Sequence, residues 1–175
     1  AVYVANSDGS NQRRLGAGGA PAWSPDGAQL AYARQRDTGS VLVIAGADSG
    51  SETVLVGGSQ PAWAAVQTGG ERRIAFTGNP GADGVRTIHI IDVASGALSL
   101  LASDGSEPVW SPDGSAIAFL TSHKEIAVVT LSPAGLTTVG EGAGYTWTSD
   151  SSALVFLSAM PAGRPLRWDR QSGQT

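Results

Sequence analysis

The chain has 175 residues and a formal charge of −4, and it lacks cysteine. That length suits one domain with a sizeable core. The missing cysteine excludes disulfides, Cys-based zinc sites and a lipid-bearing cysteine within this segment, and the absence of any block of like charges argues against nucleic acid as a main partner.

Glycine (24) and proline (9) punctuate the chain too densely for long helices and favour short strands joined by turns. No run approaches 18 apolar residues, so no membrane insertion is expected. The opening Ala-Val-Tyr-Val reads as a strand, with no signal peptide before it. Residues 2–5 and 12–15 form two strands around the Asp8-Gly9 turn. Next come strands at 22–24, 29–34, 41–45 and 52–56. Ser24-Pro-Asp-Gly is the first turn: Pro25 presets φ, Asp26 accepts local N–H groups and Gly27 tolerates positive φ. A second set begins at Pro61, with Ala64-Ala-Val-Gln-Thr-Gly-Gly replacing the Ser-Pro-Asp-Gly turn, and has strands at 87–93 and 98–101. A third set runs over 108–140. A fourth contains Trp147, residues 154–157 and a last segment, Leu166-Arg-Trp-Asp.

These sets are repeats. Trp23, Trp63, Trp110 and Trp147 stand at steps of 40, 47 and 37 residues. A period near forty with strand-like content is the signature of propeller blades. The predicted fold is therefore an all-β propeller of four-stranded antiparallel blades forming a single domain. Its units lie near 1–20, 21–60, 61–107, 108–144 and 145–175, with seventeen strands. Two arrangements fit. In one, the two N-terminal strands pair with the first two strands of the last unit and close a four-bladed ring, leaving the Leu166 segment surplus. In the other, the chain is part of a six- or seven-bladed ring.

The Trp-Ser-Pro-Asp-Gly segments, each followed by an apolar strand, resemble the WD40-like (PD40) repeats of the TolB propeller family. Residues 1–15, 21–32 and 108–119 carry the resemblance most clearly. The second and fourth units depart from it by losing the Pro-Asp-Gly turn. The resemblance implies a periplasmic or extracellular protein that docks envelope proteins or peptides. It also implies a second use, the substrate-filtering propeller of prolyl-oligopeptidase-like serine peptidases. A third reading is a structural repeat that self-associates through unpaired blade edges.

No residue pattern points to catalysis or to a cofactor. Gly-x-Ser-x-Gly is missing, and Gly140-Glu-Gly-Ala-Gly lacks the Gly-Lys-Ser/Thr ending of a phosphate loop and reads as a flexible link. Asp26, Asp113 and Asp150 each stand alone in a turn, which suits capping and not a calcium cage. His89 in a strand and His123 in a turn make no zinc site without cysteine. The repeated tryptophans read as core between blades, and Trp168, outside the repeat position, as a candidate exposed anchor. Recognition then falls to the loops of one face, at 16–20, 57–60, 103–107 and 140–144 together with 34–37, 79–86, 121–124 and 160–164. The candidate contact residues there are Arg34, Arg36, Asp37, Arg86, Glu107, His123 and Lys124.

Overall fold

A computed structural model describes residues 1–65, 72–159 and 163–175. The divergent turn of the second unit and the 160–164 loop lie partly outside the described residues. The described chain is all β. Its strands are β1 (Val2–Val4), β2 (Arg13–Gly16), β3 (Gly19–Trp23), β4 (Gln29–Arg36), β5 (Gly39–Gly46), β6 (Glu52–Gly57), β7 (Ser59–Trp63) and β8 (Arg73–Thr77). They continue with β9 (Ile88–Asp92), β10 (Leu98–Ala102), β11 (Ser106–Trp110), β12 (Ala116–Leu120), β13 (Glu125–Leu131), β14 (Ala134–Trp147), β15 (Ala153–Ser158) and β16 (Pro165–Asp169).

The blades follow chain order. β1–β2, β3–β6 and β7–β10 are separate antiparallel sheets, and β11–β16 form one six-stranded sheet. That last sheet is two blades sharing β14. Its first half pairs with β13 up to Glu141, and its second half pairs with β15 from Gly142. Among the described residues there are sixteen strands, or the expected seventeen when β14 is counted in both blades. The expected flexible link at 140–144 is instead the middle of this strand. Its glycine serves packing: a Cβ at Gly142 would lie 2.8 Å from the Phe156 ring.

Closure of a four-bladed ring by β1–β2 does not occur among the described residues. β15 is already paired on both sides, by β14 and β16. Trp168 on β16 is buried at 4% exposure, in one cluster with Trp147, Ala118 and Phe156, so it is core and not an anchor.

The blades stack through one junction used repeatedly. Tyr32, Phe76, Phe119 and Phe156 occupy the same position of the second strand in each unit, and all are fully buried. Five residues before each tryptophan stands Gly18, Gly58, Gly105 or Gly142, and a Cβ there would meet that aromatic ring at 2.5–2.8 Å. Only glycine lets the chain pass so close. Three residues before the tryptophan the backbone is left-handed, at Ala20, Gln60, Glu107 and Gly144, with φ of 49°, 51°, 58° and 59°. Non-glycine residues rarely adopt this conformation, so its recurrence marks the bend that carries the chain from one blade into the next.

Across the junction the tryptophan packs on an alanine of the preceding blade. Trp63 clusters with Ala31, Trp110 with Ala75, and Trp147 with Ala118. The indole N–H of Trp110 donates to Ala62 O at 3.0 Å, and that of Trp147 to Val109 O at 3.1 Å. Arginines cover the rings: Arg72 over Trp63, Arg73 over Trp110 and Arg170 over Trp147.

Candidate functional site

The two ends of the stack are built for different tasks. At one end lie the Ser-Pro-Asp-Gly turns. Ser24, Ser111 and Thr148 each donate a 2.6 Å hydrogen bond to Oδ1 of the aspartate two residues on, and the same oxygen accepts the backbone N–H two residues beyond the aspartate. Burial pushes the Asp113 carboxyl up, but hydrogen bonds from Ser111 and Ser115 and the charge of Arg170 outweigh it and hold Asp113 at about 2. Asp150 is likewise held at about 2 by Thr148 and Ser152. These carboxylates are consumed in turn geometry. Asp26 and Asp113 also reach Arg72 and Arg170 of the following blade, at 3.6 and 3.4 Å. Among the described residues no three His, Asp or Glu side chains gather as a metal site.

The other end is the loop rim. Three of the segments leaving a blade are bonded back to the turn region between the second and third strands of their own unit. Gly58 N–H donates to Ser40 O, Gly105 N–H to Arg86 O, and Gly142 N–H to Lys124 O, at 2.8, 2.9 and 3.2 Å. Asn79 bridges to the neighbouring blade, accepting from Ser40 N–H at 3.2 Å and donating to Ser40 O at 2.9 Å. Asp104 accepts from both the N–H and the hydroxyl of Ser122. Backbone polar groups of these loops are thereby satisfied without a helix or a longer strand.

Three concave depressions follow one another along this rim. The first, about 410 Å³, holds Arg34, Gln35 and Ser40. The second, about 440 Å³, shares Gln35 and Ser40 and adds Gln60, Asn79 and Arg86. The third, about 340 Å³, shares Arg86 and adds Asp83, Asp104 and Ser122. A larger depression of about 590 Å³ extends from the rim at Asp104 along the seam of two blades, between Leu101, Phe119, Val129 and Leu136. Its walls are chiefly the margins of the inter-blade core, and polar groups that would orient a ligand converge at the rim instead.

The expected contact residues divide into two groups. Arg34 is held at 2.5 Å from Glu52, donates to Tyr32 Oη at 2.9 Å and to Ala17 O at 3.1 Å, and braces the first full blade against the N-terminal strands. Hydrogen bonds from Arg34 and from Tyr32 hold the Glu52 carboxyl below its ordinary range. Glu107 sits in the left-handed bend; its N–H donates to Thr77 Oγ1 at 3.1 Å, while Tyr145 donates its hydroxyl to Glu107 O. Burial, with the Glu107 charge behind it, pushes the Tyr145 hydroxyl well up. Arg34 is bound into the scaffold by its side chain, whereas Glu107 is held there by its backbone and is itself exposed. Arg36, Asp37, Arg86, His123 and Lys124 are exposed. His123 stands 4.0 Å from Asp104 and hydrogen-bonds Ser122 at 3.4 Å. Arg86 is the residue that joins two depressions.

Gln60 and Asn79 lie in the expected recognition loops 57–60 and 79–86 but are not among the individually expected contact residues. Gln60 accepts from Thr77 Oγ1 at 2.8 Å and donates to Glu107 Oε1 at 3.4 Å. Aligning the units on their tryptophans places Gln60 and Glu107 at the same position, which is the signal that finds it.

Stacked antiparallel blades with an ordered loop rim define a β-propeller scaffold. The solved structures agree. TolB from Acinetobacter baumannii superposes with a TM-score of 0.75 at 18% identity, over 98% of this chain and 46% of its own. The putative TolB from Agrobacterium tumefaciens gives 0.72 at 19% identity, over 98% and 71%. A prolyl endopeptidase structure gives 0.66 at 17% identity, over 97% and 31%. The chain thus spans about half the length of the first of these, and the likeness is one of fold. No family model and no curated protein sequence matches the chain.

Proposed function

We propose that this propeller is a non-enzymatic platform that binds a protein or peptide of the bacterial cell envelope at its loop rim, in the periplasm or outside the cell. The run of three depressions sharing Gln35, Ser40 and Arg86 supports this reading. A run of adjoining open depressions edged by polar side chains and carried on rigid blades suits an extended polypeptide better than a small molecule. The fold likeness to TolB supports the envelope placement. Panning a random peptide-display library on the protein and titrating the selected peptides tests the proposal. Reversing charge at Arg36, Arg86 and Lys124 together should weaken binding about tenfold or more, with the melting temperature unchanged. A control, Asp48→Lys at the opposite end, should bind normally. Failure to select any saturable binder, or binders indifferent to the triple variant, sinks the proposal.

The likeness to a prolyl endopeptidase favours a second reading, a propeller that screens peptides for a hydrolase domain. It differs in selectivity: the rim then takes short unstructured peptides and refuses the same sequences displayed on folded carriers.

A further inference from the structure

The outer strands of the blades differ in one respect. β2 carries Arg13 and Arg14, β6 begins with Glu52, and the first half of β14 ends at Glu141. β10, the outer strand of the β7–β10 blade, has no such residue: from Val93 to Ser103 the chain holds no charge and no proline. Charge and proline are common guards of a strand edge. This blade packs on the blades before and after it, so its outer strand is not exposed for want of a neighbouring unit. Among the described residues β10 pairs only with β9. Leu98 and Leu100 stand on one of its faces, exposed by 50% and 61%. The ladder also fixes which backbone groups are free. Ala97 O accepts from Asp92 N–H at 2.9 Å, so Ala97 turns its carbonyl toward β9. Successive residues of an antiparallel strand alternate in direction. Ser99 therefore also faces β9, and Leu98 and Leu100 present their N–H and C=O groups outward.

We propose that the edge of β10 binds β10 of a second copy, antiparallel about a two-fold axis at Ser99. Leu98-Ser99-Leu100 reads the same in both directions, which suits a strand that meets its own copy head to tail across a two-fold. In this register Leu98 lies opposite Leu100 of the second copy, and Leu100 opposite Leu98. Both members of each pair have outward backbone groups, so each pair closes two hydrogen bonds. The leucines meet on one face as cross-strand pairs. A shift of one residue would set Leu98 and Leu100 against Ser99, whose groups point inward, and would lose these bonds. Neither paired strand brings a charge to the contact. With one strand from each copy, the interface is of the small, transient kind. None of the three rim depressions includes a β10 residue, so failure of this proposal leaves the rim reading standing.

Sedimentation velocity of the chain from about 10 μM to about 1 mM tests the proposal. The mass should rise toward that of a dimer and stop there. Amide exchange at Leu98 and Leu100 should slow with concentration, while that of Ser99, which faces β9, should stay constant. Leu98→Lys combined with Leu100→Lys should weaken association about tenfold or more, since it sets like charges opposite each other. Leu98→Lys combined with Leu100→Glu should restore it, because in this register each new charge faces its opposite. Val54→Lys charges a comparably exposed apolar residue on β6 and should leave association unchanged. All three variants should keep the parent's melting temperature, which separates lost pairing from lost folding. A chain that stays monomeric throughout overturns the proposal, even where an added strand peptide protects the same two amides and so assigns the edge to a foreign strand. Association that climbs past a dimer, that survives the first variant at full strength, or that the second fails to restore overturns it as well.

Discussion

Pro21-Ala22-Trp23 and Pro61-Ala62-Trp63 are the same tripeptide on the same strand of adjacent blades, and their environments are opposite. Trp63 is enclosed by Ala31, Leu42 and Ile44 of the preceding blade, with Arg72 over its ring. Trp23 meets a unit that lacks its inner strands, and half of its surface is exposed. Local sequence therefore fixes the strand and its bend, while the neighbouring unit fixes burial. Nearest-neighbour stacking of this kind makes stability a sum over junctions.

Substitution separates the two tryptophans most strongly. Trp63→Ala removes a buried indole and leaves a cavity, so urea unfolding should show a loss of about 3–5 kcal/mol. Trp23→Ala should change stability by less than about 1 kcal/mol. Equal losses would mean that Trp23 has a buried partner in solution. The glycines give a comparison of intermediate size. Gly105→Ala would force a methyl to within 2.5 Å of Phe119, and Gly19 has open space around it. The first should cost about 1–3 kcal/mol and the second stay within about 0.5 kcal/mol in the same assay.

Acid gives the smallest effects, in two windows. His89 stacks on Phe76 at 5.5 Å and its Nδ1 is buried without a partner. Burial lowers its pKa below the ordinary 6.5, so the folded chain prefers the neutral ring. The unfolded chain then takes up protons first. This contribution is fully present above pH 6.5 and declines as pH falls below it. The melting temperature of His89→Gln, followed from neutral pH downward, should fall less steeply than that of the parent; parallel curves would remove His89 as the cause. Asp113 works lower, where the stability it contributes is lost between its ordinary 3.8 and its folded value of about 2. Asp113→Asn should make the loss in that window smaller without abolishing it, because Asp150 is also held at about 2, and should leave the histidine window intact.

Much of this molecule is legible in its sequence. Tryptophan spacing identifies the units, and Ser-Pro-Asp-Gly announces turns whose hydrogen bonds are local and so need no tertiary knowledge. The sequence is silent where a feature depends on what stands opposite. Trp23 looks like its three counterparts. Trp168 breaks the spacing yet is buried, because β16 is the third strand of a real blade. Gly140-Glu-Gly-Ala-Gly has a linker's composition and a strand's pairing, since its neighbours β13 and β15 supply the ladder. At the rim, Arg34 and Arg86 carry the same charge, and only the presence of Glu52 and Tyr32 beside one of them turns it into a brace.

β14 has a consequence for how the repeat array can come apart. Elsewhere the units are joined at bends between separate strands, where a protease finds exposed chain and where evolution inserts or removes residues. Between the last two units the same left-handed bend, at Gly144, falls inside one continuous strand of 14 residues whose halves serve different blades. Those two units form one heritable and degradable piece: a cut or an insertion that spares one must damage the ladder of the other.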